Sequence, residues 1–311
     1  MTSELLVHFQ SPWRPRSIAR RTWEMKRDGA VFPDPSPHGH GASGSAILPR
    51  MLAAFLLTLL AAAPYETVFY RHDGLRLEEY LYRPPGAGPF PLVVYNHGSR
   101  YGREEMPMES IGRLLSGAGF AVLVPERRGY GKSEGKPFGE EIGQDRGERY
   151  LARLRAETGD ALAGLKHVLG DPRFRLDRRR VALMGWSFGG IVTTLAAGEA
   201  VAFTAAIVQA PGAVSWPKSP ALRKLLPDAA RRIHIPLQCM VAENDATTES
   251  TRAVCAGAVD APARDLKIYP PFLPAKPRGD GAEGHDLFSP AGESIWASDA
   301  LAFLERYAKG G

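Results

Sequence analysis

Cysteine is scarce in this chain, with only Cys239 and Cys255 among 311 residues. There is no Cys-x-x-Cys pair and no cluster of cysteine with histidine, so neither a metal site nor a disulfide framework is indicated. A Cys239–Cys255 disulfide stays open if the chain is exported. Otherwise the two read as small buried apolar side chains. A dominant charge is lacking too. The formal net charge is +5, and the first fifty residues hold +3 of it. No basic stripe is interleaved with aromatics, which argues against a nucleic-acid partner. Arg178-Arg-Arg180 reads as a solvated turn ahead of a buried strand. No internal repeat is visible. No apolar run reaches the roughly 20 residues that a membrane-spanning helix needs. What remains, 44% hydrophobic and 23% charged, is the composition of an ordinary globular chain.

The N-terminal part differs from the rest. Residues 1–50 are rich in breakers, as in Pro33-Asp-Pro-Ser-Pro-His-Gly, and show no apolar period. They cannot bury enough surface to fold alone. Residues 51–63, Met-Leu-Ala-Ala-Phe-Leu-Leu-Thr-Leu-Leu-Ala-Ala-Ala, have the length and small-residue ending of a secretory signal's apolar core. We therefore expect export, to the periplasm or beyond, with residues 1–50 as a disordered or mis-assigned upstream extension. A cytoplasmic location is expected if the segment is instead a helix ahead of the first strand. Residues 64–311 form the expected catalytic domain, about 250 residues with room for a large buried sheet.

Within that domain, short apolar runs alternate with helical periodicity, which predicts a mostly parallel sheet covered on both faces. Strands are expected at 67–70, 77–82, 92–96, 121–125, 181–185, 205–209, 237–242 and 266–269, the first two forming a hairpin that turns at Asp73-Gly74. Helices are expected at 110–116, 145–169, 188–200, 247–258 and 293–308. Insertions at 135–147 and 210–233 are placed to shape a pocket, the second as a short cap.

One segment carries chemistry on its face. Val181-Ala-Leu-Met-Gly-Trp-Ser-Phe-Gly-Gly190 drives an apolar strand into G-x-S-x-G and then into a helix of small residues. Such a turn exposes the serine Oγ, and its flanking glycines are needed where backbones approach too closely for a Cβ. Ser187 is the candidate nucleophile. The Phe188 amide, at the start of the helix, is a candidate donor to a developing oxyanion. A serine hydroxyl needs a base, and the base needs an orienting acid. His285, in the Gly-rich loop Gly281-Ala-Glu-Gly-His-Asp286, is the expected base. His167 precedes the turn, and His234 lies at the entry end of a strand. Asp245 is the preferred acid, with Glu243 as alternative; Asp245 also reads as the cap of the helix after it. A second oxyanion donor is expected from Asn96-His-Gly-Ser-Arg100, at the amide of Ser99 or else Arg100. His97 reads as a residue that fixes this loop. Arg100 and Tyr101 are placed to contact a substrate carboxylate or acyl group, or else Arg100 pairs with a carboxylate such as Glu104. Trp186 reads as a packing residue.

Taken together, the hairpin from His72 to Pro85, Gly88-Pro-Phe-Pro-Leu-Val-Val-Tyr-Asn-His-Gly98, Pro125-Glu-Arg-Arg-Gly-Tyr-Gly-Lys-Ser133, the Ser187 turn, Asp245 and Gly284-His285 resemble the α/β-hydrolase superfamily. Within it they resemble the branch of dienelactone hydrolase-like and prolyl-oligopeptidase-like enzymes. The likeness runs from about Tyr65 to Ala308. It implies an α/β-hydrolase fold with an eight-stranded sheet and serine hydrolase chemistry on a small or medium ester, with no cofactor. Dienelactone hydrolases carry cysteine where this chain has Ser187, so their own reaction is not implied. A serine peptidase, an acyltransferase or a non-catalytic binding protein are the alternatives.

Overall fold

Continuous apolar runs such as Leu92-Val-Val-Tyr95 have no polar face to show to water, so they settle as strands buried on both sides. The computed structural model describes residues 64–311, apart from 101, 200–202 and 311. The readings of residues 1–50 and 51–63, and that of Tyr101, lie outside the described residues. The strands are β1 (Glu66–His72), β2 (Leu75–Tyr82), β3 (Phe90–Asn96), β4 (Ala121–Glu126), β5 (Leu176–Trp186), β6 (Ala205–Gln209), β7 (Leu237–Ala242) and β8 (Arg264–Tyr269). They form one sheet in the order β1-β2-β4-β3-β5-β6-β7-β8. Only β2 runs against its neighbours, β1 and β4. Its hairpin with β1 turns at Asp73 and Gly74, both at positive φ (50° and 75°), the turn whose twist matches that of the strands.

The helices are α1 (Glu109–Gly117), α2 (Phe138–Ile142), α3 (Glu148–Gly170), α4 (Phe188–Ala197), α5 (Pro220–Ala230), α6 (Glu249–Gly257) and α7 (Glu293–Leu304). Alternate strand residues feed two cores. Leu92 and Val94 pack with Leu154, Ile191, Leu222 and Val254 of α3 to α6. Val93 and Tyr95 pack with Ile111, Leu115, Trp296 and Phe303 of α1 and α7. Among the described residues no helix is long and apolar enough to cross a membrane.

One local expectation is corrected and two are filled in. β5 begins at Leu176, so Arg178, Arg179 and Arg180 lie in its exposed first half rather than in a turn. Arg180 is tied to Asp177 at 2.7 Å, where the strand overhangs the sheet with only Phe90 opposite. The insertion at 135–147 contains α2. The insertion at 210–233 contains α5, which starts behind a Ser219 cap whose Oγ accepts from the Leu222 amide at 3.1 Å. Cys239 and Cys255 are free, buried thiols, the second of the two readings left open for them. They touch, and burial pushes the Cys239 thiol well up.

Candidate active site

The topology brings the chemistry to one end of the sheet. β3 and β5 pair in parallel up to Asn96 opposite Gly185, so the loop after β3 and the turn after β5 emerge side by side. At that turn Ser187 is forced to φ 60°, ψ −119°. For a residue with a Cβ this costs on the order of 1–3 kcal/mol, so the surroundings must hold it. They do so with backbone bonds: the Ser187 amide donates to the Gln209 carbonyl (2.9 Å), and the Ser187 carbonyl accepts from Gly212 (3.0 Å). The glycines beside it are needed sterically. A Cβ on Gly185 would stand 2.4 Å from the Gly189 carbonyl oxygen, and one on Gly189 would stand 1.9 Å from that of Asn96.

His285 sits in a short 3-10 turn, Glu283–Phe288. Its Nε2 is 2.9 Å from Ser187 Oγ, and its Nδ1 is 2.9 and 3.0 Å from the two oxygens of Asp245. His285 and Asp245 are only 4% and 7% exposed, so little water competes for these bonds. The Asp245 carboxylate also accepts from the Ala246 amide at 2.6 Å. The carboxylate can hold a proton on Nδ1, which leaves Nε2 free to accept from the serine. Gly284 makes the approach possible, since a Cβ there would lie 2.6 Å from the Asp245 nitrogen. Trp186, read from sequence as packing, does more: its indole N–H donates to the His285 carbonyl at 3.1 Å and ties the histidine loop to the Ser187 turn.

Asp245 does not cap α6; that position belongs to Thr248. Glu243 is exposed after β7 and takes no part in the constellation. His167 stacks on Tyr70, with the ring centres 6.1 Å apart, and His234 is exposed ahead of β7. Phe188 is the first residue of α4, so its amide has no carbonyl within the helix to bond. Its ring packs edge-on against Phe138 and Tyr150. Gly98 and Ser99 line the same cleft as Ser187, Phe188 and His285. His97 is fully buried behind that loop, its Nδ1 2.7 Å from the Gly98 carbonyl oxygen. Burial and the nearby Arg127 charge hold its imidazole well below the ordinary histidine range, hence neutral.

A buried ionic assembly behind the loop had no signal in the sequence beyond ordinary charged residues. Arg127 donates to the His97 carbonyl (2.8 Å) and to Glu157 (2.7 Å). Glu157 also accepts from Arg153 at 2.5 Å, and Arg153 reaches Glu141 of α2. The cleft itself has a volume of about 610 Å³. The two insertions supply part of its wall: Phe138 and Arg146 from the first, Val214, Ser215 and Lys218 from the second. Arg100 makes no ion pair with Glu104; both line the cleft. Among the described residues no group of acidic, cysteine or histidine side chains is placed to hold a metal.

A family model described as the alpha/beta hydrolase family matches residues 92–309. The quorum-quenching protein AidA of Acinetobacter baumannii is 29% identical over 128 residues, 41% of this chain and 37% of that protein. This chain thus spans little more than a third of that relative's length. Among solved structures, the Pyrococcus furiosus esterase Pf2001 is similar with a TM-score of 0.56 at 17% identity, covering 78% of this chain and 93% of that one. The Pyrococcus horikoshii acylaminoacyl peptidase is similar with a TM-score of 0.60 at 20% identity, covering 79% of this chain and 42% of that one. At such identities these two likenesses speak for the fold alone.

Proposed function

Since the chain belongs to the alpha/beta hydrolase family, we propose that it is a serine hydrolase that cleaves a small or medium carboxylic ester through an acyl-enzyme. The observation that carries the reading is the continuous relay from Ser187 Oγ through the His285 ring to the Asp245 carboxylate, with every link at 2.9–3.0 Å. Ser187 Oγ attacks the ester carbonyl while His285 Nε2 takes its proton. Asp245 keeps the ring oriented and stabilises the imidazolium. The amides of Phe188 and Ser99 receive the oxyanion. His285 returns the proton to the departing alcohol, and a water activated by the same histidine then releases the acid. No step calls on a cofactor. In the same reading residues 51–63 direct export, and N-terminal sequencing of the mature protein tests that part.

The test is hydrolysis of p-nitrophenyl esters from acetate to decanoate, with p-nitroanilides alongside. Ser187→Ala and His285→Ala are expected to lose about 10³-fold or more in kcat with the fold intact, and Asp245→Asn about 10²–10⁴-fold. Turnover by Ser187→Ala at the wild-type rate would overturn the proposal. Cleavage of anilides alone would make the chain a peptidase.

A further inference from the structure

Charge in the cleft is unbalanced. Arg278 is engaged by Asp286 across 2.7 Å and by Asp280, outside the lining, at 3.2 Å. That leaves Arg100, Arg146 and Lys218 against Glu104 on the lining. Among the described residues none of these three cations forms an ion pair, whereas cations elsewhere on the surface do, such as Arg173 with Asp171 and Lys224 with Asp228. Two of the three stand on segments that are fixed to each other. The Arg146 guanidinium donates to the carbonyls of Gly143 (3.1 Å) and Asp145 (2.7 Å) and lies 5.7 Å from the Tyr150 ring centre. The Arg146 carbonyl in turn accepts from the hydroxyl of Ser219, the neighbour of Lys218, at 2.6 Å. Arg146 and Lys218 also line an adjoining hollow of about 620 Å³, with Gln144, Gly147, Pro220 and Ala221. They therefore stand where the cleft continues away from Ser187. Like charges on two linked segments that line the same boundary favour an anion there.

We propose that the substrate is an ester that carries a free carboxylate remote from the bond that is cleaved, and that Arg146 and Lys218 bind that carboxylate. The inference rests on the serine hydrolase reading and adds the substrate class to it. Arg100, next to Ser99, adds to the positive field near the reacting carbonyl but is not needed for the remote contact.

Matched substrates test it. Mono-p-nitrophenyl adipate against p-nitrophenyl hexanoate places the charge on the acyl side. 4-Hexanoyloxybenzoate against its methyl ester places it on the alcohol side. Rates are corrected with Ser187→Ala as blank. On at least one side the anionic ester is expected to be preferred by about tenfold in kcat/KM. The preference should shrink as salt is raised and fall close to one in Arg146→Gln/Lys218→Met. Equal use of charged and neutral esters by the wild type, or a preference that survives in the double variant, overturns the proposal while leaving the serine hydrolase reading in place. If no ester of either kind is turned over, that reading fails instead. Calorimetry with adipate then decides the anion site: binding weakened in the double variant supports it, and binding absent from the wild type overturns it.

Discussion

The two walls that meet at Ser187 are held by different forces. On the side of His285 steric constraints stand beside the Asp245 carboxylate and the Arg278–Asp286 pair. Gly284 lies flat on the Asp245 backbone, the Trp186 indole holds the His285 carbonyl, and Leu287 and Phe288 are buried beneath the turn. On the side of the loop after β3 the constraints are ionic. Arg127 holds the His97 carbonyl and is itself held by Glu157, which Arg153 shares. Close packing fixes position whatever the pH or salt, because repulsion rises within tenths of an ångström. A buried ion pair fixes position only while both charges persist, and removal of one partner strands the other. Shape thus has a larger share in placing the turn that carries His285, and buried charge in placing the loop after β3.

The largest test of that contrast is Glu157→Gln, which leaves Arg127 and Arg153 without their shared carboxylate. It should cost about 3–5 kcal/mol of stability, read as a shift in the denaturant midpoint; an unshifted midpoint would show that the loop does not depend on the charges. On the steric side, Gly284→Ala pushes the histidine turn off Asp245. A fall in kcat of about 10²-fold with a much smaller loss of stability is expected, and an unchanged rate would mean that the turn has slack.

Next comes pH. Burial pushes the Glu126 carboxyl up to about 8, against about 4.3 in an unfolded chain. Between those values the folded chain retains a proton that the unfolded chain has released, so Glu126 makes stability fall as pH rises. His97, its Nε2 3.9 Å from Glu126, is held neutral and acts in the opposite sense below about 6.5, where the unfolded imidazole takes up a proton. Buried Glu79, also pushed well up, adds a slope of the same sign as Glu126. From pH 6.5 to 8, Glu126→Gln should therefore lose less stability than the wild type, by on the order of 1–2 kcal/mol. Parallel curves would remove Glu126 from the account. The smallest effect belongs to Trp186→Phe, which deletes one hydrogen bond worth about 1 kcal/mol and should slow kcat about fivefold. A loss as large as that of Gly284→Ala would make the indole, and not the glycine contact, the main support of the histidine.

What could be read from sequence follows the same line. The Ser187 turn, the Asp73-Gly74 hairpin and the histidine loop were legible because each rests on local backbone needs that only glycine or a strand–turn–helix pattern meets. The strands around them were legible as apolar runs, except that β5 begins five residues before its apolar part. α2 and α5 were not: both sit in insertions rich in proline and charge, and Pro227 lies inside α5. Their stability comes from contacts distant in sequence, such as Phe138 on Phe188. Arg153 and Glu157 were invisible as a pair with a task, because charged residues on a helix ordinarily face water and nothing local says that these two are buried.

The backbone of Ser187 has a consequence for the history of such a chain. Position 187 is kept in a conformation that glycine adopts freely and serine does not. In the proposed reading the residue there serves turnover at the expense of folding. A lineage that no longer needed the reaction would be under no pressure to keep serine, and drift toward glycine at this one position would relieve the strain while leaving the rest of the sheet as it is. Loss of this serine, with both flanking glycines retained, is then the mark by which a descendant turned to another use would be known.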